Sequence, residues 1–304
     1  MKKNVLVTLA DSNYINQAKQ LFSSAYNNGG WKDDMLLLSV GIKDKDLSAF
    51  KNQGIIVKKC HPIKKKDKTN FPTTILSKFD LFTSYFKKWE HVIFLDADII
   101  VLASLDGLIN DGFYATEDFT DLKGQFNIIN FNKLQELSFL SNKDYKAFNV
   151  GLMSFSTNII SINLYDNIVK RYNSVGKYTL YPEQAIFNLV FRDKWKKLSR
   201  LYALSPSDLY NKTGIKLNKL KAITLHFEGR SIWKPWNKHS NYNHIWNSNL
   251  LKFKLINKQK NNCENKYSKF SIIFLDMYYE LLFIIKYFLY PKKYITNFLD
   301  KVKK

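Results

Sequence analysis

The sequence predicts an α/β fold built on one largely parallel sheet, with polar site residues at the strand ends. Three observations support this class. Short apolar runs rich in Val, Ile and Leu recur along most of the chain. They alternate with segments of helical periodicity, which is typical of βαβ units. The runs also end in turn-forming polar residues, as where NVLVTLA is followed by DSN.

The first hundred residues show the clearest alternation. Strands are predicted at NVLVTLA (4–10), DMLLLSVG (34–41) and IIVKKC (55–60). Helices are predicted at YINQAKQLFSSAYNN (14–28), at DKDLSAFKNQG, where Gly54 provides the stop signal, and through about Trp89. The apolar run HVIFLDADIIVL (91–102) follows as another strand.

The downstream elements continue the same pattern. Short strands are predicted at GFYATED (112–118), AFNVGLMSFS (147–156) and ITLHFEG (223–229). YPEQAIFNLVFRD (181–193) reads as a helix with Glu183 and Gln184 in its first turn. The sequence shows no internal repeat.

The composition changes after Trp246. We expect one α/β domain over 1–246, a polar, lysine-rich linker over 247–268, and a basic, aromatic, amphipathic helical region over 269–304. Asp276, Glu280 and Lys286 interrupt the apolar stretch of that last region, which makes it a poor membrane span. A helix lying on an anionic bilayer fits its pattern. A helix docked on its own domain and a dimer interface remain open.

The formal net charge of +21 favours anionic partners: nucleic acid, a membrane surface or phosphorylated substrates. The basic run KKCHPIKKKDK (58–68) carries no RNA-binding signature and is expected to be a solvated loop. The two cysteines, Cys60 and Cys263, are far apart, which fits a reducing compartment. The first apolar run is too short for a signal peptide. A cytoplasmic protein is therefore expected.

Asp96 and Asp98 interrupt an otherwise apolar run. Burying a carboxylate is costly unless something pairs with it. In an extended chain, residues two apart point to the same side, so the two carboxylates can converge on one cation. Oxygen ligands suit Mg²⁺ or Mn²⁺. For an isolated DxD, the simpler explanation is that one acid caps a turn and the other pairs with a lysine. The position of this DxD at the end of an apolar strand favours a metal site instead.

The segment LHFEGRSIWKPWN (225–237) supplies the complementary groups. The His226 imidazole can complete a metal shell, and Gly229 lets backbone approach a diphosphate. Lys234 offers a point charge for a departing diphosphate. The two segments together indicate a site for a metal and a phosphorylated substrate.

In their order along the chain, the motifs resemble glycosyltransferase family 8, which includes glycogenin and bacterial lipopolysaccharide galactosyl- and glucosyltransferases. The resemblance covers roughly residues 4–245. It rests on VTLADSNY, FLDADIIVL, FNVGLMSF, PEQAIFN and HFEGRSIWKPW. It implies the GT-A fold, a Rossmann-like α/β domain that uses a UDP-sugar and Mn²⁺ (or Mg²⁺).

The resemblance also implies roles for individual residues. Asp96 and Asp98 resemble the metal-binding DxD of the family, and His226 resembles its third protein ligand. The positions that resemble donor-binding residues of the family are Leu9, Asp11, Tyr14, Lys78, Ala97, Asn149, Gly229 and Lys234. Tyr14 is a candidate to stack on uracil, and Lys234 would neutralise the leaving diphosphate.

Glu183 and Gln184 match a family pair that is usually Asp-Gln. Gln184 is the better candidate to lie beneath the anomeric carbon, and the longer Glu183 leaves its own role open. The family retains anomeric configuration. Because Gln184 is a poor nucleophile, we expect front-face attack within an ion pair rather than double displacement.

The expected function is therefore metal-dependent, retaining transfer of glucose or galactose from a UDP-sugar to a surface glycan or lipopolysaccharide-type acceptor. The expected location is the inner face of a membrane, with the protein bound peripherally through its C-terminal region. A glycogenin-like self-glucosylating protein is one alternative, because Tyr is plentiful. A basic nucleic-acid-binding protein is a more distant one, and nucleic acid is not an expected partner.

Overall fold

A seven-stranded sheet organises the computed structural model, which describes residues 2–60, 63–128, 130–206, 220–228, 234–256 and 266–289. The strands are β1 (Lys2–Ala10), β2 (Asp34–Ser39), β3 (Ile56–Lys59), β4 (Trp89–Leu95), β5 (Ile99–Val101), β6 (Phe113–Asp121), β7 (Lys146–Ser156), β8 (Trp195–Leu198) and β9 (Thr224–His226). The α-helices are α1 (Ile15–Asn27), α2 (Asp44–Lys51), α3 (Leu164–Val175), α4 (Pro182–Phe191), α5 (Asn243–Lys252) and α6 (Lys269–Leu289).

The strand order of the large sheet is β3-β2-β1-β4-β7-β6-β8. Strands β3, β2, β1 and β4 are parallel, as the strand–helix alternation predicts. Strand β7 runs antiparallel to both β4 and β6, whereas β8 is parallel to β6. The α/β class is confirmed, but the expectation of one sheet was wrong, because β5 and β9 form a second, antiparallel sheet.

Helices and loops cover both faces of the large sheet. On β1, Leu6 packs into one core with α1, while Val5 and Val7 face the other core with α3 and α4. Side chains alternate across a strand, so a strand buried on both faces reads as a continuous apolar run. The helical spacing of Ile15, Ala18, Leu21, Phe22 and Ala25 predicts one apolar face on α1; the last four are buried, and Ile15 is partly buried.

Two predicted elements differ in detail. The helix expected through about Trp89 consists of two 3₁₀ helices, Thr73–Phe82 and Ser84–Lys88, separated by extended backbone at Thr83. The run HVIFLDADIIVL is not one strand. It divides into β4 and β5, which belong to different sheets, and the two aspartates lie in the turn between them.

Helix α5 crosses residue 246, where the sequence predicts the α/β domain to end. Trp246, Asn249, Phe253 and Ile256 are all buried against the domain. The first part of the expected linker therefore belongs to the folded core, because its apolar side chains recur at helical spacing. Residues 257–265 of that linker lie outside the described residues.

Helix α6 docks on its own domain along one narrow face. Tyr279 is buried, Asp276 accepts a hydrogen bond from Arg200 N at 3.0 Å, and Glu280 lies 2.9 Å from Arg200 Nε and 3.3 Å from Lys197 Nζ. The acids Asp276 and Glu280, which interrupt the apolar stretch in the sequence, thus hold the helix to its own domain. The exposed apolar face, which we call the outer face of α6, consists of Phe270, Ile273, Phe274, Met277, Leu281 and Ile284. Among the described helices, none is long and apolar enough to cross a membrane.

Candidate active site

The candidate site lies where β4 ends beside β7 and β9. The turn after β4 is fixed by backbone hydrogen bonds, from Asp96 N to Gly151 O (2.8 Å) and from Ile99 N to Asp96 O (3.0 Å). Strand β5 then pairs with β9 in a register that places Ile99 opposite His226. This second sheet brings two distant sequence motifs to one point. The aspartates converge through the turn, and not through the extended geometry that the sequence suggested.

Asp96, Asp98 and His226 form a cluster in which one ligand atom from each lies within 4.8 Å of the others. His226 Nε2 is 3.3 Å from Asp98 Oδ1 and 3.9 Å from Asp96 Oδ2. Two carboxylates and an imidazole are a donor set that suits Mn²⁺ or Mg²⁺, with further positions left for substrate oxygens. The residues that the sequence predicts as metal ligands therefore fit a divalent cation.

Gly151 on β7 makes room for this cluster. A Cβ atom at this position would lie 2.1 Å from Cε1 and 2.8 Å from Nδ1 of the His226 ring. The ring is itself buried, and the clash would be with its rigid plane. Any larger residue at position 151 would therefore displace the imidazole from the two aspartates.

Each aspartate is paired with its own lysine. Lys78 Nζ lies 2.9 Å from Asp96 Oδ1 and 3.3 Å from Glu183 Oε1, and Lys234 Nζ lies 2.7 Å from Asp98 Oδ2. Lys234 also donates to the Phe227 carbonyl. The cluster thus has both carboxylates that can hold a cation and ammonium groups that can meet an anion, which is the balance a metal–diphosphate complex requires.

Burial and charge act against each other on these groups. Burial lowers the pKa of Lys78, but Asp96 and Glu183 hold it above its usual range. Burial raises the pKa of Glu183 despite the nearby lysine. Burial likewise opposes ionisation of Asp98, yet His226 and Lys234 hold the pKa of Asp98 well below its usual range. His226 and Lys234 thus keep Asp98 negatively charged in spite of its enclosure, whereas burial outweighs Lys78 at Glu183.

Glu228 is a further acid at the cluster. Its Oε1 lies 3.4 Å from His226 Nδ1, on the side of the ring opposite the aspartates. Burial lowers the pKa of His226, but the carboxylates of Glu228, Asp98 and Asp96 raise it to about 9. A carboxylate behind a ligating imidazole also fixes its orientation and strengthens it as a donor.

Gln184 is held by two contacts on the other side of the site. Its Nε2 donates to Asp118 Oδ2, and its Oε1 accepts from Val150 N at 3.3 Å. Burial raises the pKa of Asp118 above its usual value. The amide of Gln184 is therefore fixed between β6 and β7, one residue away from the ion pair of Glu183.

The predicted donor-binding residues take different places. Leu9 and Asp11 lie at the end of β1, and Asp11 Oδ1 accepts from Asn13 N at 2.9 Å. Tyr14 begins α1, and burial together with Asp98, Asp11 and Asp96 raises the pKa of its hydroxyl. These residues border the DxD turn, with the Tyr14 ring 6.3 Å from that of Trp236.

The remaining positions lie closer to the cluster, with one exception. Ala97 is buried in the turn between the aspartates. Asn149 lies on β7, and its Oδ1 accepts from Gly151 N at 2.8 Å, so it supports the same backbone that approaches His226. Gly229 lies outside the described residues.

Comparison with known proteins decides the family. The family model described as Glycosyl transferase family 8 matches residues 5–240, most of the chain. The chain belongs to glycosyltransferase family 8. This confirms the resemblance carried by its motifs.

The chain is also similar to individual proteins that are named as glycosyltransferases. The chain is 26% identical over 209 residues to a putative glycosyltransferase of Haemophilus influenzae, covering 62% of this chain and 59% of that protein. It is 28% identical over 214 residues to the glycosyltransferase GlyB of Streptococcus pneumoniae (66% and 48%) and 26% identical over 200 residues to a lipopolysaccharide 1,2-glucosyltransferase of Escherichia coli (60% and 55%). The chain thus spans about half the length of these relatives.

Solved structures support the GT-A fold of this family 8 chain. The galactosyltransferase LgtC, solved with donor and acceptor sugar analogues, superposes with a TM-score of 0.63 at 15% identity, covering 82% of this chain and 95% of that one. GlyE of Streptococcus pneumoniae superposes with a TM-score of 0.59 at 19% identity, covering 84% and 62%. At these identities the likeness establishes the fold and nothing finer.

Sequence reasoning about this family 8 chain missed three residues of the site. Asp118 ends the predicted strand GFYATED, and an acid at the end of a strand beside the site was a usable signal. Glu228 is two residues after His226, so proximity in sequence also indicated it. Gly151 gave no signal beyond its place in FNVGLMSF, because the ring it accommodates comes from a distant strand.

Proposed function

We propose that this chain is a metal-dependent, retaining hexosyltransferase that moves glucose or galactose from a UDP-sugar to a surface glycan or lipopolysaccharide-type acceptor. The observation that carries the proposal is the joining of Asp96, Asp98 and His226 into one cluster with an ammonium group on either side. Family membership supports sugar transfer, and the charge arrangement supports a metal and a diphosphate.

In this proposal Asp96, Asp98 and His226 hold Mn²⁺ or Mg²⁺. The ion would supply positive charge to the leaving diphosphate. Lys234 is 2.7 Å from Asp98 and would move to the diphosphate once a metal takes that carboxylate. Leu9, Asp11, Tyr14, Ala97 and Gly229 are proposed contacts of the nucleotide.

The contacts of Glu183 and Gln184 support front-face attack. A nucleophile for double displacement must be free to reach the anomeric carbon. Glu183 is largely enclosed and held by Lys78, and both ends of the Gln184 amide are hydrogen-bonded. The leaving phosphate would then help to deprotonate the acceptor. A covalent sugar adduct recovered on Glu183 or Asp118 would overturn front-face attack.

The outer face of α6 supports attachment to an anionic membrane. It exposes a contiguous apolar surface, with Phe270 85% and Phe274 71% exposed. The sequence that follows the helix, PKKYITNFLDKVKK, is basic, and the chain as a whole carries +21. An apolar face beside basic residues fits the headgroup region of an anionic bilayer.

Vesicle sedimentation tests this attachment. We expect binding to vesicles that contain phosphatidylglycerol, and loss of that binding in F274S/M277S. Met277 is 67% exposed, so the substitutions leave the docked side of α6 in place. Binding that is the same for the variant and the unaltered chain would remove the outer face of α6 from the proposal.

A panel of UDP-sugars tests the reaction itself. Slow hydrolysis in the presence of Mn²⁺ reports the donor without a known acceptor. We expect hydrolysis of UDP-glucose or UDP-galactose and none without a divalent cation. Mass spectrometry of the protein after incubation distinguishes the self-glucosylating alternative, because only that activity adds hexose to the chain. A panel in which no UDP-sugar is hydrolysed would contradict the proposal.

A further inference from the structure

The basic loop 63–71 is a fixed structure and not merely a solvated stretch. The carboxylate of Asp67 is buried and accepts hydrogen bonds from Thr69 N (3.0 Å), Thr69 Oγ1 (2.5 Å) and Tyr172 Oη (2.8 Å). Lys65 Nζ turns inward and donates to the carbonyls of Thr69 (2.5 Å) and Phe71 (2.7 Å). Five polar contacts therefore hold the loop in one shape, with α3 anchoring it through Tyr172.

This loop presents three lysines to solvent. Lys64, Lys66 and Lys68 are exposed, and none forms an ion pair with the described residues. Elsewhere in this basic run the lysines are neutralised, since Lys58 pairs with Asp80 and Lys59 with Asp44. The uncompensated charge is thus concentrated on the rigid part of the loop.

The end of the loop reaches the candidate active site. The ring of Phe71 lies 6.2 Å from that of Tyr181, and both are partly exposed. Tyr181 directly precedes α4, which carries Gln184. Burial raises the pKa of Tyr181, and the carboxylates of Asp118 and Glu228 add to that effect.

The position of this aromatic pair separates it from the proposed nucleotide contacts. Those contacts are at the ends of β1 and β4, whereas Tyr181 directly precedes α4, whose Gln184 is hydrogen-bonded to β6 and β7. A sugar ring has an apolar C–H face and a polar edge, which matches an aromatic platform beside hydrogen-bonding acids. The pair therefore lies near Gln184 and away from the proposed nucleotide contacts, where an acceptor sugar would have room to bind.

We propose that loop 63–71 selects an acceptor that carries a phosphate group. Phe71 and Tyr181 would pack on the acceptor sugar, while Lys64, Lys66 and Lys68 would bind the phosphate on a neighbouring position. This inference rests on the proposed function and adds the chemical class of the acceptor. A held backbone that presents uncompensated ammonium groups favours an anion, because binding need not pay to order the loop itself.

The test compares glucose 6-phosphate with glucose as probes of the acceptor side. Saturating UDP and Mg²⁺ occupy the nucleotide positions, and NMR titration gives each dissociation constant. We expect glucose 6-phosphate to bind about tenfold more tightly, since several exposed ion pairs of modest strength combine. The preference should vanish in K64S/K66S/K68S and shrink at high ionic strength. Equal binding of the two probes by the unaltered chain would overturn the inference.

A matched control separates local from overall charge. K43S/K45S/K51S removes the same charge from exposed lysines at α2 and should keep the preference for glucose 6-phosphate. If both triple variants lose the preference, the loop has no specific role and the inference is wrong. Tyr181→Ala should weaken both probes by a similar factor and leave their ratio unchanged.

Two further measurements distinguish other outcomes. Hydrolysis of the UDP-sugar panel by the unaltered chain is measured in parallel. If no UDP-sugar is hydrolysed, the proposed function fails. If hydrolysis occurs but the probes bind equally, only the acceptor inference fails. If K64S/K66S/K68S loses binding to phosphatidylglycerol vesicles without any change in probe preference, the loop contacts lipid, which would also overturn the inference.

Discussion

The two halves of the large sheet contribute different chemistry to one site. The parallel half, β3-β2-β1-β4, ends in the charged groups Asp11 and Asp96, with Asp98 directly after them. The antiparallel half, β7-β6-β8, contributes Asn149 and Asp118, which are held in hydrogen bonds. In the proposed function, the charged groups for a metal and a diphosphate thus lie on one half, and the hydrogen-bonding groups for sugars lie on the other.

One buried ion pair joins the halves. Lys78 comes from the 3₁₀ helix Thr73–Phe82, which leads into β4, whereas Glu183 comes from α4, which packs on β7. With Asp96 they form a chain of opposite charges, acid–ammonium–acid, across the middle of the site. Substitutions can therefore be sorted by what they affect. They act on the donor site of the parallel half, on the side-chain geometry of the antiparallel half, or on this ion pair, which we call the junction.

The largest effect is expected on the parallel side, from Asp98→Asn. Loss of a metal carboxylate should lower metal-dependent UDP-sugar hydrolysis about a thousandfold, because a metal supplies several kcal/mol to the developing charge. The measurement is the hydrolysis rate as a function of Mn²⁺ concentration. The matched control is Asp111→Asn, whose side chain is 98% exposed and remote from the cluster. Full activity in Asp98→Asn would refute the metal assignment.

The junction is tested by Lys78→Met, a change that keeps side-chain length. Without the buried ammonium, the partly buried acids Asp96 and Glu183 would lose their shared partner, so the free energy of unfolding should fall by about 3 kcal/mol. Urea unfolding measures the change. In K78M/E183Q the second acid is neutral, and the loss should be smaller than the sum of the two single losses. Strictly additive losses would show that the halves are not coupled here.

Sequence reasoning succeeded where local pattern and motif agreed. The parallel half follows from strand–helix alternation, since each unit is contiguous in the chain. Asp96, Asp98 and His226 could be named from residue type and position, and the structure brings all three together. Their convergence rests on pairing between β5 and β9, three residues each. Strands so short have too little periodicity to be assigned or paired from sequence.

The antiparallel half was much less accessible. The pairing of β6 with β7 contains register irregularities, so which side of β6 faces the site is not readable from alternation. Alternation therefore does not distinguish Asp118 from the other acids of β6. The packing of α5 was hidden for a related reason: a polar, lysine-rich composition masked the spacing of Trp246, Asn249 and Phe253. Composition indicates only the average solvent exposure of a segment, whereas burial depends on which residues share one face of its helix.

A smaller effect of a different kind is expected from Asp118→Asn. The substitution perturbs the group that accepts the Gln184 Nε2 hydrogen bond, so hydrolysis of the UDP-sugar should slow about tenfold. The affinity for UDP, measured by calorimetry with Mg²⁺, should stay unchanged. Glu117→Gln is the matched control, since the neighbouring acid pairs with Lys146 and Lys197 instead. Weaker UDP binding in Asp118→Asn would show that the antiparallel half also holds the nucleotide.

The smallest effect concerns α6, which is joined to the antiparallel half near β8. Tyr279 Oη donates to Lys221 O and accepts from Lys221 N, each at 3.0 Å. Tyr279→Phe removes both bonds and keeps the ring, so α6 should be destabilised by about 1 kcal/mol, which is about fivefold faster hydrogen exchange in the helix. Mass spectrometry of exchanged peptides from 269–289 measures this.

Tyr278→Phe is the control for that experiment. Tyr278 is the adjacent residue, it is 45% exposed, and its hydroxyl has no hydrogen-bond partner among the described residues. Equal exchange in the two variants would mean that Lys221 does not hold the helix. A selective effect of Tyr279→Phe would show that the polar stripe of α6 serves docking. Its outer face would then be the surface left for an apolar partner. Such a separation of faces would allow one helix to bind its own domain and, as we propose, a bilayer at once.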